Sequence, residues 1–211
     1  MLSRFASVCL LLSSCLFFPE ARAADWVSLF NGKDLTGWQA NEDPASWTVE
    51  NGAIVARGGR SHLFYAGDFH GHTFRDFELS VEVKAAHNSN GGVYIMTQFQ
   101  NSGWPAHGFE VQVNNTYNTD PRKTGSLYEV EDVKTQLVQD DQWFTEHITA
   151  KSGTITVRVN GKVVAKWTQP ADWKGTSDFP DRRLQPGTIA LQRHDPHSVV
   201  YYRNIRIKPL E

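Results

Sequence analysis

The stretch TITVRVNGKVVAKW at 154–167 decides the fold class. Before Asn160-Gly161, polar and apolar residues alternate at period two in TITVRV, the repeat of a strand with one face in a core and one in water, and the β-branched run KVVAKW follows it. Asn-Gly tolerates the two consecutive positive φ angles of a type I′ turn, so the segment predicts a two-residue β-hairpin. Working outward, the same alternation predicts strands over 28–30, 47–50, 53–56, 77–85, 92–99, 109–114, 143–150, 154–159, 162–167, 187–192 and 199–207, with Asn51-Gly52 as a second such turn. No window of ten or more residues holds a 3.6-residue apolar period, so only short helical pieces are expected. Many short strands between turn residues predict an all-β protein: a two-sheet antiparallel jelly-roll sandwich.

The N-terminus reads as an export signal. Arg4 supplies a positive start, residues 8–18 are apolar, and Ala21-Arg22-Ala23 gives a small-x-small cleavage pattern. The apolar run is too short for a membrane span. A competing pattern, Leu12-Ser13-Ser14-Cys15, fits a lipoprotein box with Cys15 as a lipid anchor, although apolar Leu16-Phe17-Phe18 follows it. Cleavage after Ala23 leaves a single domain at 24–211 with no cysteine, because Cys9 and Cys15 both lie in the leader. The remaining 188 residues suffice for one sizeable core without disulfides. Loss of Arg4, Arg22 and Glu20 moves the formal net charge from −2 to −3, a balance that speaks against nucleic acid or an anionic membrane as partner. Tyr and Trp are frequent instead, and such rings serve either as platforms for sugars or as sandwich core.

Three long loops, at 100–107, 115–123 and 171–185, are placed to wall a pocket over one sheet. Between the first two lies the strand at 109–114. Alternation sends Phe109, Val111 and Val113 to the core and Glu110, Gln112 and Asn114 to the other face. A carboxylate flanked by amides on one strand face suits a polyhydroxylated ligand: the carboxylate takes protons, and the amides donate and accept. The bland alternative is a solvated strand face. On the strand ending at His194, Gln192 and His194 share a face in the same way. His70-x-His72 and His194-x-x-His197 are weak metal-ligand spacings, with His107 nearby, and they leave a divalent metal ion possible and its identity unknown. No G-x-S-x-G elbow, no H-E-x-x-H and no Glu-x-Asp-x-x-Glu is present; Glu129-Val130-Glu131-Asp132 has the wrong spacing for the last. Glu110 is therefore the single good carboxylate, where ordinary glycoside hydrolysis uses two.

A set of segments in fixed order carries a resemblance: LFNGKDLTGW at 29–38, WTVENGAIV at 47–55, FELSVEVK at 77–84, GGVYIM at 91–96, GFEVQVNN at 108–115, TGSLY at 124–128 and YYRNIRIK at 201–208. The chain resembles the domain of unknown function 1080 family, also named the 3-keto-disaccharide hydrolase domain, from about Trp26 to Leu210. The resemblance implies a concanavalin A-like jelly roll acting on sugars oxidised to a ketone at C3. It also implies that the segment ending at His194 approaches Glu110. Arg203, in YYRNIRIK, would then bind a ketone oxygen or hold Glu110, or else pair with a carboxylate across strands. Tyr128, in TGSLY, would hydrogen-bond substrate or act as an acid; Lys123 and Lys134 beside it would supply positive charge. A C3 ketone acidifies the C2 proton, so one base (Glu110 or His194), one electrophile (Arg203, a Lys or a metal) and one acid (Tyr128 or a His) suffice for cleavage through a C2 enolate. The alternatives are a lectin-like carbohydrate-binding module and, third, a structural or adhesion domain. In each the expected partner is a small carbohydrate, and the sequence is silent on oligomeric state.

Export as a soluble periplasmic or secreted protein predicts an intact mass for the mature form that begins at Ala24. A diacylglyceryl adduct on Cys15 would overturn it.

Overall fold

The computed structural model describes residues 25–210, so the expected leader at 1–23 lies outside the described residues. Thirteen strands and two 3-10 turns follow in order: β1 (Val27–Ser28), β2 (Trp38–Ala40), a turn at Pro44–Ser46, β3 (Trp47–Glu50), β4 (Ala53–Arg57), β5 (Ser61–Tyr65), a turn at Phe69–His72, β6 (Phe77–Ala85), β7 (Asn90–Thr97), β8 (Phe109–Asn114), β9 (Phe144–Lys151), β10 (Thr154–Val159), β11 (Lys162–Thr168), β12 (Thr188–Arg193) and β13 (Val199–Pro209). They form two antiparallel sheets. The larger runs β11-β10-β9-β6-β13-β4-β3, with β1 also on β13; the smaller runs β2-β5-β12-β7-β8. This is the expected all-β jelly-roll sandwich. Among the described residues no helix is long and apolar enough to cross a membrane.

The core lies between the sheets. Along β6 the burial alternates strictly, with Phe77, Leu79, Val81, Val83 and Ala85 inside. Facing them are Val93 and Ile95 of β7, Phe109, Val111 and Val113 of β8, and Ile189 and Leu191 of β12, all fully buried. Each such large apolar side chain contributes about 1.5–3 kcal/mol by leaving water, which is what clamps the sheets together.

The two sheets differ on their outer faces. Strands β6, β9 and β10 alternate buried with partly exposed residues, the pattern of a sheet with one wet side. Strands β5, β7, β8 and β12 are buried at every residue, so the outer face of the smaller sheet is covered too.

Most predicted strands are present with ends moved by a few residues, but β2 and β5 were not expected. β5 (SHLFY) is buried on both faces and shows no alternation for the eye to catch. It becomes a strand because it pairs with β12 on one side and β2 on the other.

The Asn160-Gly161 hairpin forms as expected: β10 pairs antiparallel with β11, and Asn160 and Gly161 take φ of +48° and +81°. A Cβ at Gly161 would meet nothing within 4 Å, so only backbone strain opposes a side chain there. Gly161→Val should therefore cost about 1–2 kcal/mol, the penalty of a left-handed conformation for a residue with a Cβ, read as a lower urea midpoint with unchanged slope.

Candidate active site

The covered outer face of the smaller sheet is a grid set by strand register. One row runs Phe64, Ala190, Tyr94, Glu110 across β5, β12, β7 and β8; the next runs His62, Gln192, Gly92, Gln112. Period-two alternation puts both rows on the face away from the core. Gly92 leaves a gap in the grid, and the Glu110 carboxyl leans into it. A Cβ at Gly92 would stand 2.6 Å from Glu110 Oε1 and 3.0 Å from its Cγ. Its neighbour Gly91 clears the opposite face, where a Cβ would stand 2.7 Å from the Tyr202 hydroxyl in the core. The Gly-Gly step of GGVYIM thus serves one side chain on each side of the sheet.

Glu110 is 5% exposed and held by donors. The Tyr94 hydroxyl donates to Oε2 at 2.8 Å, and Gln192 Nε2 donates to Oε1 at 2.8 Å. With its amide turned to suit its neighbours, Gln112 gives its N–H groups to the Gly91 carbonyl at 2.9 Å, Asn90 Oδ1 at 3.2 Å and Glu110 Oε1 at 3.3 Å. Burial nevertheless dominates and raises the Glu110 pKa to about 7; the Tyr94 hydrogen bond, the Arg182 charge and Gln192 pull it down only partly, and Asp120 adds to the rise. Burial, then the Glu110 charge, pushes the Tyr94 hydroxyl well above its usual range. A second carboxyl, Glu146 on β9, is buried facing the core with no side-chain donor on either oxygen; burial, then the Glu110 charge, raises it well above the usual range, and the Gly125 N–H offsets this only partly.

Around Glu110 is a pocket of about 280 Å³, near the lower end of the roughly 300–1,000 Å³ usual for ligand sites. Larger clefts exist: one of about 490 Å³ between the Phe69–Phe74 region and Pro209-Leu210 lies off this sheet face, and one of about 520 Å³ lies farther along it, past Phe64 and Thr188, away from Glu110. Two of the three expected loops, 100–107 and 171–185, wall the pocket, and the third packs against His194 beside it. From 100–107 comes Trp104, held by Gln100, which donates to its carbonyl at 2.9 Å; the indole lies 5.1 Å from the His194 ring and 5.6 Å, edge-on, from His62. Tyr117, from 115–123, meets His194 edge-on at 5.5 Å. Asp178 and Phe179 come from 171–185. The segment after Lys123 adds itself as a partner to the free edge of β8: the N–H of Tyr128 donates to the Glu110 carbonyl at 3.0 Å, that of Gly125 to the Gln112 carbonyl at 2.9 Å, and that of Gln112 to the Ser126 carbonyl at 2.9 Å. That pairing sets Tyr128 and Glu129 on the pocket rim. Burial, with Asp120 nearby, raises the Tyr128 hydroxyl to about 12.

His194 continues the face of β12. Its Nδ1 lies 2.9 Å from Asp195 Oδ2. Burial would raise the Asp195 carboxyl, but hydrogen bonds from Ser198, His194 and the His197 N–H outweigh it and keep it below the usual range. A carboxylate at Nδ1 favours the proton on that nitrogen and leaves Nε2 to exchange protons with a ligand.

Of the residues predicted from sequence, Glu110, Gln112, Gln192, His194 and Tyr128 come together on this pocket. Asn114 is fully buried and works as a loop anchor, its Nδ2 donating to the carbonyls of Asp120 and Arg122 at 3.1 and 2.7 Å. Lys123 does similar work, its Nζ 2.8 Å from the Tyr117 carbonyl and 3.3 Å from Asn114 Oδ1. Two residues are elsewhere. Arg203 is on β13 of the other sheet, where its register across from Glu82 turns it outward; Nε pairs with Glu82 at 2.8 Å and the guanidinium stacks 3.9 Å over Trp143. Lys134 is exposed beyond the β8 edge. Among the described residues no three of His, Cys, Asp and Glu gather to hold a metal ion. His70 and His72 sit on an exposed 3-10 turn, His197 is exposed, and His107 lies 3.4 Å from Gln185.

Sequence reading missed Tyr94, Trp104, His62 and Arg182. Tyr94 had a usable signal, because in GGVYIM it shares a face with Gly92. His62 is fully buried against the rings of Tyr94 and Trp104 with both nitrogens unpartnered, and burial lowers it to about 3, so it is neutral.

The raised Glu110 pKa has a stability cost with a defined pH window. Below the unfolded value of 4.5 the carboxyl is protonated in both states and nothing is lost; as pH rises toward about 7 only the unfolded chain sheds the proton, and stability falls. Glu110→Gln should therefore match wild type below about pH 4.5 and exceed it above pH 7, by up to about 3 kcal/mol at ~1.4 kcal/mol per unit, in urea unfolding at the two pH values.

A 3-keto-disaccharide hydrolase of Bacteroides thetaiotaomicron is 24% identical over 90% of this chain and 80% of its own length. A crystal structure from Parabacteroides distasonis, provisionally named a glycosyl hydrolase, aligns at 26% identity over 88% of this chain and 94% of its own, with a TM-score of 0.74. A carbohydrate-binding module of Bacillus subtilis covers 82% of this chain and 95% of its own at 12% identity and a TM-score of 0.57, a likeness of fold alone. The model of the 3-keto-alpha-glucoside-1,2-lyase-like domain matches residues 25–208, from before β1 into β13 and so across both sheets and the pocket, and the chain belongs to that family.

Proposed function

We propose that this protein cleaves 3-keto-glycosides, with Glu110 as the base. The observation that carries the reading is one buried carboxyl, fenced by Tyr94, Gln192 and Gln112, whose pKa of about 7 lets it take and return a proton near neutrality. Glu129 and Asp178, also on the pocket, are wall residues: Glu129 accepts a bond from Thr176 at 2.9 Å, and Asp178 is exposed. A C3 ketone supplies the activation that a second catalytic carboxylate provides elsewhere.

In this reading Glu110 removes the C2 proton and the electron pair moves into a C2–C3 enolate. As Glu110 takes up the proton and loses its charge, the Tyr94 hydroxyl and the Gln192 amide that held the carboxylate are released to donate to the enolate oxygen beside it. The enolate then collapses to a C1–C2 double bond as the C1–O bond breaks, and protonated His194 delivers a proton from Nε2 to the departing oxygen. Tyr128, on the rim, is the other candidate acid. Water adding at C1, with a proton returned to C2, yields the free 3-keto sugar, so the sum is hydrolysis. Trp104 and Tyr117, which bracket His194, offer ring faces to the sugar. The substrate is small, and the site belongs to an exported enzyme. The second reading is a carbohydrate-binding module without turnover, favoured by the fold it shares with the Bacillus module. A walled pocket with a proton-accepting carboxyl argues for the enzyme.

On a 3-keto-disaccharide, kcat/KM should climb about tenfold per pH unit below about 7, as Glu110 ionises, and fall again at the pH where the general acid loses its proton. Glu110→Gln should lower turnover by roughly 10²–10⁴ with the fold intact, and His194→Ala by tenfold or more. Full activity in both variants would overturn the assignment. Binding of unoxidised glycans with no turnover would establish the module instead.

A further inference from the structure

Arg182, from the loop that carries Asp178 and Phe179, is among the largest fully buried side chains, at 0% exposure. Its Nη1 donates to the Tyr128 carbonyl at 2.8 Å, and its guanidinium stacks 4.0 Å over the Phe179 ring and 6.0 Å from that of Tyr128. Nε and Nη2 have no partner, and no ion pair among the described residues includes it. A guanidinium keeps its proton, so the fold retains a buried, unneutralised positive charge, an arrangement that weakens it. The place of that charge is specific. Tyr128 joins the two residues through its backbone, its carbonyl accepting from Arg182 and its N–H donating to Glu110, and both Tyr128 and Phe179 line the pocket.

We propose that Arg182 is a positioning residue of the Glu110 pocket, a fixed positive charge behind Tyr128 and Phe179 that stabilises negative charge on Glu110 and on a substrate oxygen beside it. The part concerning Glu110 stands by itself; the part concerning substrate rests on the function proposed above. Several groups face Glu110: Tyr94 from β7, Gln192 and His194 from β12, Gln112 from β8, and Tyr128 and Glu129 from the added edge. Asp178 and Asp120 face it from the loops, and Glu146 and Tyr202 lie beneath it in the core. Arg182 is the positive charge that counters its burial, while Asp120 opposes it. Arg203 takes the other course the sequence left open, pairing with Glu82 across strands, and the positive charge near Glu110 comes from this loop.

The test is direct titration of Glu110 by carboxyl carbon NMR, with Glu110→Gln identifying the signal. Arg182→Met should raise the Glu110 midpoint above about 7 by about one unit, and Arg182→Lys should hold it near the wild-type value. Should Met not fold, Arg182→Gln, which keeps a donor for the Tyr128 carbonyl, reads the same shift. The acid limb of kcat/KM should move with the midpoint. A residue that only braces the loop would lower stability and leave midpoint and limb in place, and that result overturns the proposal. Because the titration needs no substrate, a shifted midpoint in a protein that turns over no 3-keto-glycoside would uphold the role of Arg182 and reject the proposed reaction.

Discussion

Everything at the site depends on taking one carboxyl group out of water. Glu110 stands on a strand whose other face is packed core, and the 100–107 and 171–185 loops and the segment at Tyr128 close around it. Without that cover the residue would be an ordinary solvated glutamate on a sheet face, ionised at neutral pH and a weak base. Burial alone would protonate it and leave it inert. The donors from Tyr94, Gln192 and Gln112 and the charge of Arg182 balance burial, and the result is a group that changes charge near pH 7. Gly92 is the geometric condition for this balance, since only a residue without a Cβ lets the carboxyl reach the donors across β7.

Glu146 shows what the balance is worth. It is as deeply buried as Glu110, one sheet away, but faces the core with no side-chain donor on either oxygen. Burial raises its carboxyl well above the usual range, and it lies in the core away from the pocket. Two buried glutamates of one chain thus take opposite roles because one side of the smaller sheet opens to a pocket and the space between the sheets does not. The cost of the arrangement is stability: a buried carboxyl poised near neutrality, a neutral buried histidine and a buried guanidinium with unpartnered nitrogens are each unfavourable, and together they mark where the fold gives up stability for chemistry.

The larger sheet is the scaffold for this. Its outer face is wet, alternates as a half-buried sheet should, and carries the cation–π and ion-pair ladder of Lys84, Trp143, Arg203 and Glu82. Exposed contacts of that kind add little each, so the ladder solvates the face and contributes little to the hold between the sheets, which comes from the apolar rows of β6 against β7, β8 and β12.

What the chain settled by itself is local. Period-two alternation and the Asn-Gly turns specify strands and hairpins, because the pleat puts neighbours on opposite faces whatever surrounds them. That logic extends to Glu110, Gln112, Gln192 and His194, whose facing follows from position along their own strands. Which strands lie side by side is a different matter, decided by the pairing of distant segments. β5 has no alternation of its own and exists through β12 and β2; Tyr94 joins Glu110 only because β7 pairs with β8 in that register. Arg203 obeys the same alternation as Glu110 and still points away, because β13 belongs to the other sheet. Arg182 lies in a loop with no period at all, and its approach to Glu110 depends on how that loop packs under Tyr128. Local geometry assigns a side to each residue, while long-range pairing and loop packing decide which sides meet; the site is made where they do.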